Sequence, residues 1–129
     1  GVSEAEDEGH DIRPYQHVID GLARAGHDTQ IRYKGLFVVC MQRPIDESGR
    51  CGMSILLQYW RGEYILCEWG GLPGYGVADK DVLPCLLDYF AVQGRPCMAI
   101  GPDLCEKYGL KNHAAYEAHM RELMRGGKK

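Results

Sequence analysis

The sequence lacks the features that would name a function outright. No apolar run approaches the ~20 residues of a bilayer-spanning helix, so no transmembrane helix is expected. There is no basic excess, since 15 Lys and Arg stand against 18 Asp and Glu, a formal net charge of −3. Duplex binding takes most of its affinity from neutralised phosphates, so nucleic acid is disfavoured except as part of an assembly. No C-x-x-C, no G-x-G-x-x-G and no P-loop ending in Lys-Ser/Thr occurs. Internal repeats and low-complexity segments are absent too. Phe and Trp are scarce, with two of each, whereas Tyr occurs eight times.

What is present is an ordinary globular composition, 45% hydrophobic and 26% charged, which argues against a disordered, collagen-like or coiled-coil chain. A length of 129 residues is that of one domain, long enough to build a core without disulfides or metal. The expected organisation is an acidic tail over residues 1–12, a single α+β domain over 13–125 and a basic tail over 126–129. Glu4, Glu6, Asp7, Glu8 and Asp11 make the start acidic, and Arg121, Arg125, Lys128 and Lys129 make the end basic. Ends of opposite sign are either solvated or docking strips.

The six cysteines, at positions 40, 51, 67, 85, 97 and 105, lie mostly inside apolar runs such as Val38-Val39-Cys40-Met41. Free cysteine behaves as a small buried hydrophobe, and a secreted disulfide scaffold would be smaller and denser in Cys. An intracellular reducing compartment is expected: the cytoplasm, or an organelle matrix after removal of a targeting segment. A chain beginning at Gly1 is expected to carry a processed, cut or trimmed terminus.

Along the chain, Pro14 suits a first helical turn, and Tyr15, Val18, Ile19 and Leu22 follow helical spacing up to a stop at Gly26. Ile31 and Tyr33 alternate with polar residues, and residues 36–41 form a continuous β-rich run with Gly35 as a bulge or bend. Pro44 ends the strand, and residues 46–49 read as a loop. Two further strands, 53–60 and 63–69, join through Arg61-Gly62 in a hairpin. Setting Trp60 opposite Glu63 places Tyr59 against Tyr64, Leu57 against Leu66 and Ile55 against Glu68. Both hairpin faces are then semi-apolar and need cover, from the chain's own helices or from a partner; helices are expected over one face.

The glycine-rich stretch Gly70–Gly76 reads as a loop. A helix follows, with Asp81 as its cap and Leu83, Leu86, Leu87 and Phe90 as its apolar stripe, stopping at Gly94. Pro96 to Ile100 reads as an edge strand, and a short helix runs from residue 101 to near Gly109. Asn112 is expected to cap a last helix that buries Tyr116, Met120, Leu123 and Met124. The fold class is therefore α+β: a hairpin-rich antiparallel meander of three to four strands with N-terminal, central and C-terminal helices.

Three patterns are candidates for chemistry. Glu68 falls on an apolar face beside the glycine loop, where an unpartnered carboxyl would have the raised pKa of a general acid. The loop itself, with Gly74, Tyr75 and Gly76, lies between a strand and a helix and could offer backbone N–H groups to an anion, although Asp79 and Asp81 oppose one. Cys85 at a helix start and Cys51 in an exposed loop are candidate nucleophiles, without a His placed beside either. Cys97, Cys105, His113 and His119 have wide gaps, and the two histidines do not share a helix face, so neither a metal nor any other cofactor is expected.

The aromatic residues Tyr59, Trp60, Tyr64, Trp69 and Tyr75 surround the hairpin and suit contact surfaces that are dry at one end and wet at the other. The leading expectation is a non-enzymatic protein–protein interaction module, such as an accessory subunit, adaptor or inhibitor, acting through that hairpin and the charged tails and capable of oligomerising. The alternative is a small enzyme or ligand binder with its site at Glu68 and Gly70–Gly76.

Overall fold

In the computed structural model, residues 11–32, 36–43, 52–92 and 98–126 are described, with only the backbone of Trp69. A 3-10 turn, Arg13–Tyr15, leads into α1 (Gln16–Arg24), and the strands β1 (Asp28–Arg32), β2 (Phe37–Met41), β3 (Ser54–Trp60) and β4 (Glu63–Cys67) follow. Next come β5 (Gly74–Val77), α2 (Val82–Ala91), α3 (Pro102–Tyr108), β6 (Lys111–Asn112) and α4 (Ala114–Gly126). The strands form one antiparallel sheet in the order β1-β2-β3-β4-β5-β6.

The α+β class holds, but the sheet has six strands where three to four were expected. β5 forms inside the stretch that reads as a glycine loop, and the two-residue β6 forms just before the last helix. Glycine has low strand propensity and β6 is too short for any periodicity, so neither leaves a sequence signal. The edge strand expected over 96–100 is not found in its described part, residues 98–100. The bulge or bend expected at Gly35 and the stops expected at Pro44 and Gly94 lie outside the described residues.

The hairpin register is as the residue pattern predicts: Trp60 pairs with Glu63, Tyr59 with Tyr64 and Leu57 with Leu66. Arg61 and Gly62 both have positive φ, 51° and 82°, the geometry whose twist matches two flanking strands. The ladder ends at Leu56–Cys67, one pair short of the expected Ile55–Glu68.

Helices cover both faces of the sheet, not one. Val38, Cys40, Ile55, Leu57, Tyr64 and Leu66 point to one side and pack with Val18 and Leu22 of α1, with α2 residues and with Leu104 of α3. Phe37, Leu56, Trp60, Ile65 and Cys67 point to the other and pack with Tyr116 and Met120 of α4. This explains the nearly continuous apolar runs, since a strand buried on both faces loses the polar half of its alternation.

Ile12 is buried in the first core, and α4 ends at Gly126. On α4, Leu123 and Met124 are exposed, contrary to the buried side expected for them, because the helix outruns the sheet after Met120. Asp81 stands at the cap position of α2 without a side-chain capping bond, because a 3-10 turn, Asp79–Asp81, precedes the helix. At α4 the cap is His113 instead of Asn112: Tyr116 N–H donates to His113 Nδ1 at 3.1 Å.

Candidate functional site

Glu68 closes the turn between β4 and β5. Its N–H donates to Pro73 O at 2.9 Å, and its carbonyl accepts from Gly71 N–H at 2.9 Å. Its Oε2 accepts from Ile100 N–H at 2.7 Å and, at a long 3.5 Å, from the Tyr75 hydroxyl. The carboxylate is half-buried and hydrogen-bonded, a tie between the β4–β5 turn and the segment leading into α3. Burial and the nearby Glu68 charge push the Tyr75 phenol up.

The glycines serve packing. Gly70 and Gly71 have φ of 79° and 96° in the turn, where a side chain would be strained. Gly74 and Gly76 then enter β5 opposite Cys67 and Ile65, on the face covered by α4. A Cβ on Gly74 would lie 2.6 Å from two Tyr116 ring carbons and 3.1 Å from Ile65 Cγ2, so glycine lets α4 close on the sheet. The Gly74 N–H, which could face an anion, donates to Glu117 Oε2 at 2.9 Å. The anion at this loop is thus a carboxylate of the protein's own α4.

Glu117 is a residue that sequence reasoning missed. Its Oε2 also accepts from Asn112 Nδ2 at 3.0 Å, and Arg121 pairs with its Oε1 at 3.5 Å. Burial pushes the Glu117 carboxyl up, but the hydrogen bonds from Asn112 and Gly74, with the charge of Arg121, outweigh it and hold it below the usual value. The available signal was an acidic side chain in a first helical turn, a favoured place for negative charge.

The sequence offers His113 no role beyond that of a metal ligand, which its spacing excludes. With Nδ1 accepting the Tyr116 N–H, its Nε2 carries the proton and donates to Glu63 Oε2 at 3.0 Å. The ring therefore joins the hairpin tip to the start of α4. A cleft of about 290 Å³ opens beside it, lined by residues 62–64 and 76–79, near the lower size limit of small-molecule pockets. Its two carboxylates are both paired, Glu63 with His113 and Asp79 with His17 at 3.8 Å.

Among the described residues, Cys40, Cys67, Cys85 and Cys105 are not disulfide-bonded, and the first three are buried. Cys85 sits in the α2 core, with no exposure to reagents or substrate. Burial pushes the Cys40 and Cys67 thiols up to about 12, with Cys67 Sγ 3.1 Å from the Tyr116 hydroxyl. Cys105 is partly exposed, and burial with the charges of Glu68 and Asp103 raises its thiol too. Cys51 and Cys97 lie outside the described residues. No group of three or more His, Cys, Asp or Glu among the described residues is placed to hold a metal ion, and none of their helices is long and apolar enough to cross a membrane.

The aromatic set divides. Trp60 is buried, ringed by His113, Tyr116 and His119 at centroid distances of 5.4–5.5 Å, with the Arg61 guanidinium 4.5 Å over its ring. Tyr64 is buried and donates to Pro14 O at 2.6 Å. Tyr75 is half-buried, and the Trp69 side chain is outside the described set. Tyr59 is 36% exposed, its ring tilted 59° against that of Tyr64 with centroids 4.8 Å apart, and its N–H donates to Tyr15 Oη at 2.7 Å. Of the expected aromatic residues whose side chains are described, Tyr59 alone is exposed, at the hairpin tip beside the exposed Arg61 and Glu63. Compared with known proteins, the chain matches no family model, no curated protein and no solved structure.

Proposed function

We propose that this protein is a non-enzymatic interaction module, an accessory subunit, adaptor or inhibitor that engages a protein partner through the tip of its central hairpin. The observation that carries this reading is the locked, mixed aromatic and charged tip. Tyr59 is braced by Tyr64 and Tyr15, Arg61 rests over Trp60, and Glu63 is held by His113. A contact patch ordered before binding loses little entropy on association, and tyrosine supplies apolar area with few rotamers to freeze. The alternative at Glu68 and the glycine turn has less support. Glu68 Oε2 and the Gly74 N–H are bonded inside the fold, and Cys85 is buried.

Native mass spectrometry of the protein isolated from its source under reducing conditions tests this. A heteromeric mass that disappears in the folded Tyr59→Ala/Arg61→Glu variant supports it. A heteromer that survives the variant, or a bare chain carrying only a small-molecule adduct, overturns it. Trp60, the obvious target from sequence, is unsuitable because a charge there would be buried between the sheet and α4.

A further inference from the structure

The sheet has two ends, and they differ. β6 is two residues long, too short to template a ladder, whereas β1 is a full five-residue strand that pairs only with β2 among the described residues. An edge strand offers a row of backbone donors and acceptors to another chain. Asp28, Gln30 and Arg32 are exposed on one face of β1, and Thr29 and Ile31 are half-buried on the other, with Ile31 packed against the core of α1 and α2.

We propose that β1 pairs antiparallel with β1 of a second copy of this chain, about a two-fold axis at Gln30, making one continuous sheet across a homodimer. This edge is a different surface from the hairpin tip. Its occupant is a second copy because the strand is self-complementary. About Gln30, Asp28 faces Arg32 of the second copy and Arg32 faces its Asp28, while each Thr29 faces an Ile31. Opposite charges directly across an antiparallel pair stabilise it, and such an isologous contact closes at two copies.

Other arrangements lose this match. A parallel pairing in register brings Asp28 near Asp28 and Arg32 near Arg32, and a one-residue slip turns the charged face toward the helix side. Among the described residues of one chain, Asp28 pairs with Arg43, at 3.4 Å and with both side chains at least half exposed. Such a surface pair contributes little and leaves Asp28 able to bond Arg32 across the seam. The seam is ~17 Å long, so the dimer is weak and reversible.

Sedimentation velocity of the full chain, from low micromolar to several hundred micromolar at low salt, reads the outcome. The wild type is expected to show a concentration-dependent dimer that weakens as salt rises. Arg32→Asp and Asp28→Arg each set like charges across the seam and are expected to weaken dimerisation about tenfold. The double swap, Asp28→Arg/Arg32→Asp, restores it. Far-UV circular dichroism verifies folding, and Arg32→Ala, expected to give a smaller loss, replaces any swap that unfolds. A monomeric wild type, dimers indifferent to these changes, or a double swap that fails to restore dimerisation overturns the proposal.

Discussion

Removing the Glu117 carboxylate should loosen α4 from the sheet in a pH-dependent way. The side chain accepts from a backbone N–H at 2.9 Å and a side-chain amide at 3.0 Å, with Arg121 at 3.5 Å, and it is 9% exposed. Hydrogen bonds to a charged acceptor are worth roughly 1.5–3 kcal/mol each, offset here by the cost of burying the carboxylate. Glu117→Ala leaves the Gly74 N–H without its acceptor and should cost roughly 2–3 kcal/mol, or on the order of 10 °C in Tm. Glu117→Gln keeps a neutral acceptor and should cost about half as much.

The pH dependence has a defined sign. The folded carboxyl is held below its ordinary value, so its contribution is full above the unfolded pKa of about 4.3 and is lost as pH falls through the folded value. Urea unfolding of wild type and Glu117→Gln from pH 7 to pH 3 therefore should show a stability gap at pH 7 that closes in acid. A gap that is absent at pH 7, or that persists undiminished at pH 3, would refute the assignment of Glu117 as an ionised anchor.

Other consequences are equally direct. Gly74→Ala forces a Cβ against the Tyr116 ring and should destabilise by about 1–3 kcal/mol in a denaturant melt, from overpacking rather than backbone strain. Trp60→Ala empties the space between Ile65 and α4, and a loss of about 3–5 kcal/mol is expected in the same assay. For the thiols, values of about 12 leave roughly one Cys40 or Cys67 in ten thousand ionised at pH 8. Peptide mapping after brief native alkylation should find Cys105 labelled well before Cys40, Cys67 and Cys85, and all four labelled in urea; early labelling of Cys40 would contradict the packing.

Local pattern in the sequence determined the elements that repeat a period. Helical spacing from Tyr15 to Leu22 and along Leu86 and Phe90 gave α1 and α2 their buried faces, and the Arg61-Gly62 link placed the β3–β4 hairpin in its register. These rest on forces between near neighbours, which spacing records directly. What the tertiary structure decided involves partners far apart in the chain. Gly74 reads as a flexible loop residue until Tyr116, 42 positions away, is seated on it. Glu68 reads as an unpartnered acid until the Ile100 N–H reaches it. Likewise Trp60 reads as a surface aromatic until α4 folds over it, because the second face of the sheet is covered by a helix whose destination no local periodicity encodes.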